Sequence, residues 1–267
     1  MAHIKGPIQF NGRLGNIRSY WDSDTKQQTL STIPEGGKKA FKNRKSAARV
    51  KELNREFAAV NIWTKLIREG NNDLSYLKKG RLNGKLVSIG KRIQLMNTVD
   101  NRGLRGVDSS KFNYPLVGFC MNNAHPFNDV CHVVPEITIS DDHRAVTVKL
   151  TDFISFGKFK WSETLSYYRV FLNIFELPDV EWDTKRRAFV PVYEWSSLSN
   201  KTSVSEWIKI ITDPIDIELS ASFKENFIAK EKTTIVVTLG FEFASGMQYN
   251  TPYVVKDNGT CVIVGCF

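Results

Sequence analysis

The chain has 267 residues, 42% of them hydrophobic and 12% aromatic, with 37 Lys and Arg against 28 Asp and Glu. That much apolar material excludes wholesale disorder, and no run reaches the roughly 18–20 uncharged apolar residues of a helical membrane span. The charge is unevenly placed: residues 1–105 carry 22 Lys and Arg against 8 Asp and Glu, whereas residues 106–267 carry 15 against 20. A front of net +14 joined to a back of net −5 suggests two kinds of partner: nucleic acid, or the acidic half of a neighbouring copy.

The start, Met1 to Pro7, lacks the apolar core of a secretory signal, so the expectation is cytoplasmic synthesis, with a place in a particle or exported assembly left open. Residues 1–35 are punctuated by Gly6-Pro7, Asn11-Gly12 and Gly15-Asn16, with Ile8, Phe10, Tyr20 and Trp21 between them. This reads as an extended arm with anchoring side chains, or as a small hairpin of residues 17–21 with 26–33. So glycine-rich a segment cannot build a large core of its own, and an arm must lie on something else to be ordered.

After Gly36-Gly37 the pattern turns helical. Val50, Leu53, Phe57, Val60, Trp63 and Ile67 fall at steps of three and four, predicting a helix over about 40–69 that ends at Gly70. Phe41 and Phe57 are expected to pack along it. Leu82, Leu86, Ile89, Ile93 and Met96 predict a second helix over about 74–98, with Asp73 as its N-cap, although Gly80, Gly84 and Gly90 each weaken it. The basic run Lys38, Lys39, Lys42, Arg44 and Lys45 at the start of the first helix is the strongest candidate contact for a polyanion or an acidic neighbour.

Residues 106–132 read as a linker or covering loop, and 133–267 as seven to nine short strands of two-residue period. Turn signals such as Ser140-Asp141-Asp142 and Asp257-Asn258-Gly259 separate them. The expected fold class is therefore α+β: an N-terminal arm (1–35), a basic helical pair (36–105) and a C-terminal antiparallel β-sandwich (133–267). Trp161, Tyr168, Phe171, Phe175, Ile235, Val237 and Leu239 are its expected core, and the region from about 130 onward is expected to fold alone.

Chemical signatures are weak. Cys120, His125, Cys131 and His132 are spaced four, five and zero residues apart, unlike the paired ligands of structural zinc sites, and are expected to be ordinary core or loop residues. Gly84 to Arg92 resembles a phosphate loop but has one residue too many between its glycines and Arg92 where Ser or Thr is needed. Asp141-Asp142-His143 reads as a polar hairpin turn. No catalytic residue, cofactor, metal or small-molecule substrate is assigned, and the expectation is a non-enzyme.

Gly12-Arg13-Leu14-Gly15-Asn16-Ile17-Arg18-Ser19-Tyr20-Trp21, the basic helix after it, Ile235 to Phe243 and the closing Asn258-Gly259-Thr260 strand carry a resemblance to a family of uncharacterised Bacteroidota proteins. That resemblance implies the same order of Gly-rich segment, basic helices and β-sandwich, and a bacterial source, and it transfers no functional residue. The function expected from the whole is a structural subunit that self-assembles into a phage-like, tubular or surface homo-oligomer. Its contacts are expected at Ile8, Phe10, Tyr20 and Trp21 and at the basic run. The alternatives are nucleic-acid binding through the basic half, or a carbohydrate- or protein-binding sandwich module.

Overall fold

The computed structural model describes residues 2–3, 10–22, 26–33, 47–132, 134–161, 164–249 and 251–267. The chain is α+β with antiparallel sheets, and it divides into two compact units, Met1–Lys51 and Glu52–Phe267.

In the first unit, β1 (Ala2–His3), β2 (Gly12–Leu14), β3 (Ile17–Asp22) and β4 (Gln27–Thr32) form a four-stranded sheet of order β1-β4-β3-β2. Of the two readings of residues 1–35, the hairpin is the one formed: Ile17 pairs with Thr32 and Asp22 with Gln27. Its buried residues are polar, as the shortage of apolar side chains requires. The Gln28 amide lies 2.6 Å from the Phe10 carbonyl, 2.8 Å from Asn11 Oδ1 and 2.7 Å from Ser19 Oγ.

Helix α1 runs Ala47–Gly70 and α2 runs Leu82–Met96. The buried stripe of α1 is Glu56, Val60, Trp63 and Ile67, whereas Leu53 and Phe57, which share the same three-and-four spacing, are exposed. Predicted to begin near residue 74, α2 starts eight residues later. Asn72–Leu77 is a 3-10 turn, and Gly80 then takes a φ of +93°, which ends any continuous helix. Asp73 caps nothing, and its carboxylate instead accepts a hydrogen bond from Thr202 Oγ1 at 2.8 Å. Gly90 has a packing reason that outweighs its poor helix propensity. A Cβ there would stand 2.8 Å from Val60 Cγ1 and 3.0 Å from Trp63 Cε3, so its absence sets how closely α1 and α2 approach.

The main sheet has the order β10 (Asn200–Val204), β7 (Tyr167–Pro178), β13 (Thr233–Gln248), β14 (Thr251–Cys266), with β11 (Ile208–Lys209) also on β7. A second sheet orders β12 (Ile215–Ser222), β6 (Ala145–Phe153) and β5 (Glu136–Ile139), and β8 (Val180–Asp183) pairs with β9 (Ala188–Pro191). Side-chain alternation divides the core in two. Phe171, Phe175 and Val236 pack with Val60, Trp63, Ile67, Leu86 and Ile93 of the helices. Val170, Leu172, Ile174, Ile235, Val237 and Leu239 pack with Val146, Val148, Leu150, Ile217 and Leu219 of the second sheet. The main sheet is thus covered on both faces, so the region from 130 onward has a core that it shares with residues 59–93. That sharing argues against the expectation that it folds alone. Trp161 is only partly buried, unlike the other six expected core residues.

Residues 106–132 cover rather than link: Val107, Leu116, Phe119, Met121, Phe127 and Val130 are all buried. A polar lock joins the end of α1 to the sheet. Asn71 Oδ1 accepts from Thr238 Oγ1 at 2.8 Å and Asn173 Nδ2 at 3.1 Å, all three residues being fully buried.

Two buried carboxylate networks have opposite electrostatics. Glu56 receives Arg105 Nε at 2.7 Å and Nη2 at 2.9 Å, the Gly103 N–H at 2.9 Å and Lys91 Nζ at 3.2 Å. Burial alone would raise its pKa; these donors outweigh it and hold the group at about 2. Asp108 faces Asp179, Asp100 and Glu181, with Lys111 as its opposing cation, and burial followed by Asp179 pushes it up to about 6. A carboxyl raised in the folded state contributes stability that is complete below its unfolded value near 3.8 and is lost as pH rises through about 6. Asp108→Asn should therefore stabilise the fold at pH 8 by about 1–2 kcal/mol and at pH 4 by almost nothing. Urea melts at the two pH values check this, and an equal effect at both would disprove it.

Candidate assembly surfaces

The small N-terminal sheet separates the anchors that the sequence grouped. Tyr20 and Trp21 are neighbours on β3 and so point to opposite faces. Trp21, 50% exposed, shares a face with Ile17, and Tyr20 shares the other with Arg13 and Arg18. Arg13 and Arg18 are paired directly across β2 and β3, and the Arg18 guanidinium lies 5.9 Å from the Tyr20 ring centroid. Phe10 is partly buried, with its carbonyl on Gln28. Ile8 and the basic run Lys38, Lys39, Lys42, Arg44 and Lys45 lie outside the described residues.

A second surface, in the unit Glu52–Phe267, had no single signal in the sequence. The sequence pattern of β13 and β14 suggests three strands, Thr233–Phe243, Met247–Val255 and Thr260–Phe267, with a turn signal at Asp257-Asn258-Gly259. They are two continuous strands, Thr233–Gln248 and Thr251–Cys266. Asp257 to Gly259 is not a turn: it lies in β14, where the register jumps from Glu242–Gly259 to Ala244–Val254. The extra residues on β14 form a large bulge, which re-aims the strands beyond it. β7 leaves the ladder at Ala244–Tyr167, so the tip of the hairpin projects past its neighbour. Among the described residues no strand pairs with the outer edge of Ser245–Gln248 or of Thr251–Val254. Tyr249 is 95% exposed, Tyr253 53% and Val254 47%.

Nearer its C-terminus the β14 edge is occupied. The Gly118 N–H donates to the Ile263 carbonyl at 2.8 Å, Ile263 N–H to Phe119 at 3.0 Å and Met121 N–H to Cys261 at 2.9 Å. The covering segment therefore caps this part of the strand, and only the tip presents unpaired backbone.

The weaker sequence candidates also have definite places. The His125 ring stacks on Trp161 at 4.0 Å between centroids. Cys131 is buried, which pushes its thiol up to about 12, so it is a protonated apolar side chain at neutral pH. Cys120 Sγ accepts from the Phe127 N–H at 3.2 Å. Among the described residues no group of three or more His, Cys, Asp or Glu is placed to hold a metal ion. Gly84 to Arg92 lies within α2, and Asp142, in the turn between β5 and β6, accepts from Ser140 Oγ at 2.6 Å and the Arg144 N–H at 3.1 Å. No helix among the described residues is long and apolar enough to cross a membrane.

Comparison with family models, with curated proteins and with solved structures finds no match to this chain.

Proposed function

We propose that the chain is a non-enzymatic structural subunit that assembles with copies of itself, its two facing sheets forming a sandwich-like body. The observation that carries this reading is the projecting β13–β14 tip. It combines unpaired backbone edges with exposed Tyr249, Tyr253 and Val254, the combination that strand addition between copies requires. The exposed Leu14, Ile17 and Trp21 of the N-terminal sheet supply further apolar surface for a neighbour.

The test is mass by light scattering over a range of protein concentrations. The wild-type chain should exceed monomer mass, and Tyr253→Lys with Val254→Lys should return it to monomer with an unchanged melting temperature. Charges on an exposed edge obstruct pairing without removing core contacts. A wild-type chain that stays monomeric at every concentration overturns the reading, as does undiminished assembly by the variant.

One observation favours a second reading, binding of single-stranded nucleic acid. Like charges set directly across a ladder destabilise it, so Arg13 opposite Arg18, next to Tyr20, makes sense if a phosphate chain neutralises them while a base stacks on the ring. Arg13→Gln with Arg18→Gln should then weaken oligonucleotide binding and flatten its salt dependence by about two phosphate contacts. Binding that ignores salt excludes this reading.

A further inference from the structure

Two concavities in the unit Glu52–Phe267 meet at Val117 and Gly118. One, of about 250 Å³, is walled by Phe127, Val134, Pro135, Ile137, Val262 and Val264 and holds no charged side chain. The other, of about 430 Å³, is walled by Lys85, Ser88, Ile89 and Arg92 of α2 and by Pro115 and Phe119. At their junction Gly118 has a φ of +84°, and a Cβ built there would meet nothing within 4 Å. Gly118 puts no side chain between the two spaces, its backbone conformation disfavours one, and Val117 lines both.

The cationic half is organised by helix geometry. Lys85, Ser88 and Arg92 are spaced by three and four residues, so they line one exposed face of α2. That helix contains no Asp or Glu. Lys85 Nζ is held by Asn123 Oδ1 at 2.6 Å, which orients it without neutralising it. Arg92 has no carboxylate partner among the described residues, unlike Lys91 next to it, which is taken up by Glu56. Two cations and a hydroxyl thus stand at the mouth of a space whose far end is aliphatic and aromatic apart from the uncharged Asn128. Neither a small inorganic anion nor an uncharged hydrocarbon uses both ends.

We propose that this groove binds an anionic amphiphile: a single medium-length acyl chain ending in a carboxylate. The carboxylate sits between Lys85, Ser88 and Arg92, and the chain passes Gly118 to lie against Phe127, Ile137, Val262 and Val264. Charge-assisted hydrogen bonds fix the head, and apolar burial of the chain supplies most of the affinity. This site is independent of the assembly surfaces, because none of its residues belongs to the hairpin tip or the N-terminal sheet.

The test is calorimetric titration of the full chain with decanoate, octanoate, decanol and inorganic phosphate, each kept below its aggregation threshold. Decanoate should bind, and octanoate should bind roughly tenfold more weakly for the two methylenes it lacks. Arg92→Gln with Lys85→Gln should weaken decanoate by at least about tenfold, as expected for charge-assisted bonds, while leaving any decanol binding and the melting temperature unchanged. Decanol binding as tightly as decanoate would overturn the cationic half of the proposal, and phosphate binding as tightly would overturn the apolar half. No decanoate binding, or decanoate binding unaffected by the double variant, would overturn the whole.

Discussion

Glu56→Ala will cost the fold about 3 kcal/mol, because it leaves Arg105 and Lys91 gathered around a site with no anion. The Glu56 side chain is fully buried, whereas Arg105 and Lys91 retain some access to water, which keeps the loss at the lower end of the range for broken buried pairs. For a unit of this size the melting temperature should fall by roughly 6–12 °C. The pH dependence has a definite sign. A carboxyl held near 2 in the folded state contributes stability that is complete above its unfolded value near 4.5 and disappears as pH falls toward 2. Wild type and variant should therefore differ most at neutral pH and converge in acid, and a difference that persists undiminished at pH 2 would refute this account. The same network ties α1, α2 and the Gly103–Arg105 segment together, so its loss should also loosen the packing of the helices on the sheet.

The second large effect concerns the fragment 130–267. Removing residues 1–129 uncovers Phe171, Phe175, Leu177, Val236, Cys261 and Ile263 on one face of the main sheet. At about 1.5–3 kcal/mol for each large apolar side chain returned to water, the loss is roughly 10 kcal/mol. That equals the whole stability of an ordinary domain, about 5–15 kcal/mol. The fragment should be insoluble or should melt without cooperativity, whereas a chain beginning at Ala47 should unfold in one transition. A sigmoidal melt with fixed aromatic signals from 130–267 alone would show that the helices are dispensable.

Both effects bear on what was legible in the sequence. Two-residue alternation placed Ile235, Val237 and Leu239 on one face of β13, since a half-buried strand announces itself by pattern. It could not reveal that the opposite face, with Val236, was also covered, because that depends on where distant helices come to rest. Glu56 was invisible for a related reason. A glutamate in a helix reads as surface, and its partners lie 35 and 49 residues away. In the other direction, Leu53 and Phe57 continue the apolar period yet lie exposed, because at that turn the helix faces the fold with Glu56 instead. Asp257-Asn258-Gly259 has turn chemistry, yet the structure spends it on a bulge, which local composition does not distinguish from a reversal. Lys85 and Arg92 were noticed only as parts of an imperfect phosphate loop. Their place beside Phe119 and Gly118 follows from a chain reversal that no short motif encodes.

The capped and uncapped stretches of β14 set a valence. A strand docking on the tip can extend a ladder along about four residues, Ser245–Gln248 on one side or Thr251–Val254 on the other. On the β14 side, further growth runs into the bulge and then into an edge already held by Gly118, Phe119 and Met121. On the β13 side it runs into β7. The chain itself thus limits each edge of the tip to a short ladder and, in the proposed assembly, to one docked strand. So short a ladder is also weak by itself. A misplaced neighbour would leave before the next arrived, and only arrangements closing several such junctions at once would persist.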